Sequence, residues 1–191
     1  MITTVLLDLD DTILDFHKAE KEALKKALQK VGVEPTEKLL ARYSEINQAQ
    51  WKKLELGELT QEEVKISRYR IFFEEYGITA SPEETAKCYE QNLAYEQRKY
   101  GALELLQKLH GKYRLYAASN GTYEVQSRRI EESGIKPYLR NFFISKKSGI
   151  INRTKNFSTI VLHIFLILSW KSVSLWATAY PQISLVEKMP D

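Results

Sequence analysis

The feature that most constrains this chain is an apolar run that ends in a cluster of carboxylates close to its beginning. Residues 5–12 read Val-Leu-Leu-Asp-Leu-Asp-Asp-Thr. A buried strand of this kind delivers its acids to the carboxyl edge of a sheet, where open α/β folds bind ligands. Because side chains alternate along a strand, Asp8 and Asp10 are expected to point the same way. The pair suits phosphoryl transfer, in which one carboxylate attacks phosphorus, the other handles a proton, and Mg²⁺ offsets charge.

A hydrophobic strand followed by D-x-D-x-T resembles the first motif of the haloacid dehalogenase superfamily of phosphohydrolases. The resemblance implies that Asp8 is the nucleophile, which forms an aspartyl-phosphate, and that Asp10 is the general acid and then the general base. It implies that Asp8 and the backbone carbonyl of Asp10 hold Mg²⁺, and that Thr12 braces the loop. True dehalogenases lack the second aspartate, so Asp10 favours a phosphatase. The plainer alternative is a surface turn after a strand, since D-D-T is ordinary turn chemistry.

Between Asp15 and Lys99 the apolar residues recur at helical spacing. Stop and start signals divide this stretch into four predicted helices. The first helix ends at Gly32-Val33 and the second covers Glu37–Leu56. The third runs from Thr60 to Gly77-Ile78, and the fourth runs from Ser81 to about Arg98. A helical insertion directly after the first motif resembles the cap of the superfamily, so residues 16–99 are predicted as a cap and residues 1–15 and 100–191 as the core. A plain helical bundle without a lid role is the alternative.

Strands and helices alternate again after the insertion, which is typical of a parallel sheet. Helices are predicted at Leu103–Leu109 and Tyr123–Ser133, and strands at Tyr113–Ala118 and Phe142–Ser145. The expected fold is therefore α/β: a Rossmann-like parallel sheet with helices on both faces and the inserted helical cap.

The first of these strands, Tyr113–Ala118, runs into Ser119-Asn120-Gly121, which resembles the second motif of the superfamily. The resemblance implies that Ser119 binds the transferring phosphate. Asn120 and Gly121 are expected to offer backbone donors nearby, at the start of a helix that favours anions. Taken by itself, Ser-Asn-Gly is also a common turn.

Three stretches of residues 1–145 resemble the noncanonical-pyrimidine 5′-nucleotidase group: 7–16, 118–121 and 141–145. The resemblance implies a nucleoside 5′-monophosphate as substrate. Five aromatic residues of the insertion could stack on a base, although aromatics at helical spacing are more often core. They are Trp51, Tyr69, Phe72, Phe73 and Tyr76. A sugar-phosphate mutase that uses the same first motif is a third possibility.

Composition limits the compartment and the partners. The lone cysteine, Cys88, excludes an internal disulfide and suits the cytoplasm, and the first apolar run is too short for a signal peptide. Residues 146–191 hold six Lys or Arg and two Asp or Glu, whereas the rest of the chain holds 22 basic and 23 acidic residues, so the net charge of +3 arises from the tail. No nucleic-acid partner is therefore expected. No membrane partner is expected either, because the apolar run at 157–168 is shorter than the roughly 20 residues of a membrane span. The histidines lack metal-ligand spacing.

The last part of the chain departs from the pattern of the superfamily, which requires a lysine and then a strand ending in G-D-x-x-x-D or G-D-x-x-x-x-D. By register, the lysine position falls at Asn152, and no carboxylate lies between Glu132 and Glu187. The lysines nearest in sequence are Lys146, Lys147 and Lys155. The chain could therefore be a catalytically impaired remnant of such an enzyme.

A frameshift would explain the aberrant tail, residues 146–191. In another frame, and with suitable synonymous codons, residues 151–165 become K-P-N-K-K-F-F-D-Y-C-F-A-Y-F, and the stretch from Trp176 becomes G-D-S-L-S-S-D-I-S-G-G-K-N-A-G. Trp and Met have one codon each, so the glycine read from Trp176-Ala177 and the alanine read from Met189-Pro190 are forced. Our hypothesis is a frameshift near residues 146–149, in the gene or in its sequencing. Resequencing that DNA tests the hypothesis, which fails if no shifted frame encodes both motifs.

Overall fold

The computed structural model describes residues 3–93 and 98–144 together with the backbone of a strand at 173–176. The chain divides into two compact units, Met1–His17 with Glu96–Asp191, and Lys18–Tyr95. The strands are β1 (Thr4–Asp8), β2 (Arg114–Ser119), β3 (Asn141–Ile144) and β4 (Val173–Trp176). The helices are α1 (Phe16–Lys30), α2 (Glu37–Glu55), α3 (Gln61–Tyr76), α4 (Pro82–Leu93), α5 (Ala102–Leu109) and α6 (Tyr123–Glu132), and a 3-10 turn follows at Lys136–Tyr138.

The four strands form one sheet in the order β3-β2-β1-β4, and every neighbouring pair is parallel. Parallel neighbours require crossover connections, which the described helices supply between β1 and β2 and between β2 and β3. Asp8 pairs with Ala118 across β1 and β2, so the two predicted motifs end side by side at one edge. The predicted α/β, Rossmann-like fold is confirmed.

The core of the first unit lies against one face of this sheet. Val5 and Leu7 of β1 belong to a buried cluster with Leu106 of α5 and Ile130 of α6. Leu6, which alternates to the opposite face, is also fully buried. Strands that are buried on both faces read as continuous apolar runs, which explains the composition of residues 5–7.

The second unit contains the predicted helices, and their caps were readable from the sequence. Thr60 and Glu63 form a reciprocal capping box at the start of α3, and Gly77 ends that helix in the left-handed conformation with a φ of 62°. In the described residues α4 covers Pro82–Leu93, and Arg98, near which this helix was predicted to end, instead pairs with Leu14 in an isolated β-bridge. The cap role of this unit stays a prediction.

Aromatic side chains build the interior of the second unit. Tyr69, Phe72 and Phe73 are buried, with exposed fractions of 0%, 0% and 5%, so these three belong to the core. Trp51 and Tyr76 are half-buried, and Trp51 is therefore less enclosed than its helical spacing predicts.

The remaining element bounds agree with the predictions to within one or two residues. β2 begins at Arg114 and includes Ser119, and α6 ends at Glu132. The predicted end of β3 at Ser145, the proposed lysine position and the shifted-frame motifs lie outside the described residues, apart from strand β4. Among the described helices, none has the length and apolar character to cross a bilayer.

The capping box at α3 gives a direct test of the second unit. Thr60→Ala removes the side-chain acceptor for the Glu63 amide and is expected to lower the free energy of unfolding by about 1 kcal/mol. Urea unfolding followed by circular dichroism measures the change. Thr79→Ala, at an exposed loop position, is the matched control, and an equal loss in both variants would contradict the role of the cap.

Candidate active site

The carboxylates are aimed by a tight loop that follows β1. The amides of Ile13 and Leu14 both donate to the carbonyl of Leu9, at 3.0 and 2.8 Å, and the Asp11 amide donates back to the Leu14 carbonyl at 2.8 Å. Asp11 adopts a φ of 56°, a left-handed conformation that Asp tolerates better than most residues. The turn reverses the chain directly after Asp10, which keeps that residue beside the end of β1.

Asp8 is a buried carboxylate whose charge is destabilised. Its exposed fraction is 6%. Burial raises the pKa of Asp8 to about 7, and the nearby charge of Asp10 adds to the rise. A hydrogen bond from the Thr12 hydroxyl at 3.1 Å opposes the shift. Thr12 therefore contacts the Asp8 carboxylate itself.

Ser119 lies next to Asp10 at the end of β2. Its side chain is buried, and its Oγ donates to Oδ2 of Asp10 at 3.4 Å. The Gly121 amide donates to the same Oγ at 3.1 Å. The structure thus brings Asp8, Asp10 and Ser119 together, with Gly121 beside them. Asn120 follows as a half-buried residue.

Two further residues, Gln126 and Arg129 of α6, enter the site without having been predicted. Gln126 Nε2 donates to Asp10 Oδ2 and to Ser119 Oγ, both at 2.6 Å, and Arg129 donates to Asp10 Oδ1. Their only sequence signal is spacing: positions 126, 129 and 130 share the buried face of α6, yet two of the three side chains are polar.

The outer side of the loop carries a second charge cluster. Asp11 lies 3.2 Å from Nε2 of His17 and 3.4 Å from Nζ of Lys99. These partners draw the Asp11 carboxylate into a separate set of contacts from those of Asp8 and Asp10. His17, which showed no pattern in the sequence, is an ion-pair partner here when it is protonated.

A metal at this site would find oxygen donors. Within residues 3–93 and 98–144, no cluster of three or more His, Cys, Asp or Glu side chains is placed to hold a metal. Mg²⁺ nevertheless fits the donors present, because it is commonly bound through one or two carboxylates and keeps several waters. The buried Asp8 carboxylate is such a ligand. The side-chain oxygens of Asp10 accept hydrogen bonds from Gln126 and Arg129, so its backbone carbonyl is the candidate metal ligand.

Comparison with known proteins identifies relatives along most of the chain. Residues 2–163 match the model of the haloacid dehalogenase-like hydrolase family. The chain is 33% identical over 159 residues to HAD-hydrolase YfnB of Bacillus subtilis, spanning 83% of this chain and 68% of that protein. It is 37% identical over 145 residues to pyrimidine 5′-nucleotidase PynA of Streptococcus pneumoniae, spanning 75% of this chain and 61% of that protein.

The solved structures that resemble this chain include one of these relatives. The magnesium-bound structure of Bacillus subtilis YfnB has a TM-score of 0.79 and 31% identity, covering 86% of this chain and 73% of that one. L-2-haloacid dehalogenase from Xanthobacter autotrophicus has a TM-score of 0.70 at 14% identity, covering 92% of this chain and 69% of that one, and it shares the fold alone. From the extent of the family match and the likeness in sequence and structure to YfnB, the chain belongs to the haloacid dehalogenase-like hydrolases.

Proposed function

We propose that the chain is a Mg²⁺-dependent phosphomonoesterase that works through an aspartyl-phosphate. The observation that carries the proposal is the placement of Asp8, Asp10 and Ser119 at the ends of two adjacent parallel strands. A nucleophile, a proton-transfer group and a hydroxyl donor are the side chains that this reaction needs within reach of one phosphoryl group.

In the first half-reaction, an oxygen of Asp8 attacks phosphorus and forms the new P–O bond. The bond from phosphorus to the ester oxygen breaks, and its electron pair stays on that oxygen. A proton on the carboxyl group of Asp10 passes to the leaving oxygen, which departs as an alcohol. Ser119 stabilises the phosphoryl oxygens by hydrogen bonding.

In the second half-reaction, water attacks the phosphorus of the aspartyl-phosphate while Asp10 accepts a proton from that water. The P–O bond to Asp8 breaks and inorganic phosphate leaves. Asp8 returns as a carboxylate and Asp10 as a carboxylic acid, so the cycle balances. The same side chain serves as acid and then as base because the two steps are chemically the reverse of each other.

The site also has groups that would hold the metal. The Asp8 carboxylate and the Asp10 backbone carbonyl would provide protein ligands, and Mg²⁺ bound there offsets the negative charge of the carboxylates and the phosphate. A cation also favours ionised Asp8. This matters because burial in the metal-free site raises the pKa of Asp8 to about 7, and the attacking form is the anion.

The likeness to pyrimidine 5′-nucleotidase PynA supports nucleoside 5′-monophosphates as the substrate class. We propose a cytoplasmic location for this reaction, supported by the single cysteine, Cys88, which is buried and free. The experiment is phosphate release from a panel of pyrimidine and purine nucleoside 5′-monophosphates and sugar phosphates, with Mg²⁺ and with a chelator. Release that requires Mg²⁺ and is fastest with pyrimidine nucleotides is expected. Phosphate transfer to a sugar instead of water would contradict the proposal.

A second candidate is a catalytically impaired relative, which is favoured by the sequence that follows α6. Asn152 occupies the expected lysine position, and no carboxylate separates Glu132 from Glu187. Without the positive charge of that lysine, the transition state loses electrostatic stabilisation. The two candidates are discriminated by measuring hydrolysis of an aryl phosphate, with Mg²⁺ present, for this chain and for a frame-restored chain. If this chain is an impaired relative, only the restored chain should be active.

A further inference from the structure

We propose that Gln126 and Arg129 are positioning residues for Asp10: from one face of α6 they hold its carboxyl group in the orientation in which it exchanges protons with the leaving group and with water. The inference rests on the proposed function, in which Asp10 is the proton-transfer group. Neither residue needs to touch the substrate, since both act through Asp10.

The two residues hold Asp10 through both of its side-chain oxygens. Arg129 Nη1 donates to Oδ1, and Gln126 Nε2 donates to Oδ2 at 2.6 Å. Ser119 Oγ adds a longer contact to Oδ2 at 3.4 Å. A carboxylate held by donors at both ends cannot rotate freely about its terminal bond. These donors fix the plane of the carboxyl group. Oδ1 accepts from Arg129 alone among the described residues, which leaves a second lone pair on Oδ1 for the transferred proton.

The network also determines which way each member faces. Arg129 carries only donors, so its contact at 3.0 Å requires the amide oxygen of Gln126 on that side and the Gln126 nitrogen toward Asp10. Ser119 Oγ accepts from Gln126 at 2.6 Å and from the Gly121 amide at 3.1 Å. Its one hydroxyl proton is then directed to Asp10, so the donors and acceptors of Ser119 and Gln126 agree with those of Asp10. Nη2 of Arg129 is buried without a hydrogen-bond partner among the described residues.

Burial makes this arrangement stiff. The exposed fractions of Gln126 and Arg129 are 2% and 3%, and the Arg129 guanidinium lies 5.7 Å from the centre of the Phe16 ring. A buried cation requires a partner, and Asp10 is the acid with which Arg129 forms a salt bridge in the described part of the chain. The Asp10 orientation is thus coupled to the packing of α6 in the core.

Gly121 leaves room for the side chain of Gln126 beside Asp10. A Cβ built at that position would lie 2.7 Å from both Cγ and Nε2 of Gln126, which is closer than carbon atoms tolerate. The third residue of the predicted Ser-Asn-Gly motif is therefore suited to the approach of Gln126 as well as to a turn.

A structural role alone does not account for these residue types. Ile130, the other buried residue on this face, packs in the apolar cluster. Leu or Met at 126 or 129 would fill similar space without having to satisfy buried polar groups. Orientation of a proton-transfer group, in contrast, strongly affects rate, because small misplacements of reacting groups are costly.

The first test is a double-mutant cycle on the 191-residue chain, and it requires no turnover. Arg129→Met should lower the urea midpoint of unfolding, because it leaves Asp10 without its cation. In an Asp10→Asn background the same substitution should cause less than about half of that shift. Arg128→Met, at an exposed position one residue earlier on α6, is the matched control and should give equal small shifts in both backgrounds. Additive shifts for Arg129→Met would overturn the proposal.

The second test separates positioning from folding by the leaving group. For Gln126→Leu and Arg129→Met, kcat/KM on a nucleoside 5′-monophosphate should fall about tenfold more than kcat/KM on p-nitrophenyl phosphate, whose leaving group needs little protonation. Arg129→Lys should recover part of the loss, and Arg128→Met should lose nothing. Equal losses on both substrates would overturn the proposal. Absence of turnover in the unaltered chain would contradict the proposed function, and coupling in the first test would then indicate a structural pair only.

Discussion

Asp8→Asn is expected to reduce Mg²⁺-dependent phosphate release by at least about 10³-fold. The amide retains the size of the carboxylate but cannot attack phosphorus to form an acyl phosphate. The side chain ends β1 in a buried position, so no alternative nucleophile can move into its place without rebuilding the loop. Steady-state release of inorganic phosphate from the best nucleotide of the panel measures the effect.

Glu132→Gln is the control for this variant, because Glu132 is an exposed acid at the end of α6. Its turnover should match that of the unaltered chain. Circular dichroism should show that both variants are folded. Retention of more than about a tenth of the activity by Asp8→Asn would refute the nucleophile assignment, since a covalent step cannot proceed without its carboxylate.

The same substitution is expected to stabilise the metal-free protein above neutral pH. The pKa of Asp8 is about 7 in the folded protein against an ordinary value of 3.8. Between these two values the folded state binds more protons than the unfolded state, so the contribution of Asp8 to stability declines as pH rises from about 4 to about 7. Above pH 7 the full penalty of the buried charge remains. Asp8→Asn removes it, for a gain of up to about 4 kcal/mol.

Urea unfolding at several pH values between 4 and 8, in a buffer with a chelator, checks this prediction. The stability difference between Asp8→Asn and the unaltered chain should be small at pH 4 and largest at pH 8. Addition of Mg²⁺ should reduce the difference by favouring the ionised carboxylate of the unaltered chain. A difference that does not change with pH would mean that Asp8 is not electrostatically destabilised by burial.

The centre of the site was predictable from the sequence because it depends on local rules. A short apolar run predicts a buried parallel strand, and the carboxyl ends of parallel strands meet at one edge. These two rules place Asp8 near Ser119, although 110 positions separate them in the chain. The capping box at Thr60 and Glu63 is equally local, and it was readable for the same reason.

The contribution of α6 was not predictable, because it depends on tertiary packing. Gln126 and Arg129 are ordinary surface residues by composition. Their spacing relative to Ile130 is compatible with a buried face, but it does not show that the helix packs them against Asp10. The aromatic residues of the second unit pose the same difficulty: helical spacing fits both core and ligand-stacking roles. Only packing shows that Tyr69, Phe72 and Phe73 belong to the interior.

Strand β4 shows where the sequence and the fold diverge. It pairs with β1 in parallel, with Trp176 opposite Leu7, so its end lies at the edge of the sheet that carries Asp8. The superfamily resemblance predicts acids directly after such a strand, yet the next residues are Ala177 and Thr178. The frameshift hypothesis places Gly-Asp at this point, which is why the comparison with a frame-restored chain is informative.

Trapping of the covalent intermediate tests directly whether Asp8 is the nucleophile. The protein is mixed with a radiolabelled nucleotide or aryl phosphate and Mg²⁺, quenched in acid, digested and mapped by mass spectrometry. We expect one acid-stable, hydroxylamine-sensitive phosphoryl group on Asp8, in the peptide that contains residues 5–12. Turnover with no labelled aspartate, or with the label on another residue, would contradict this expectation.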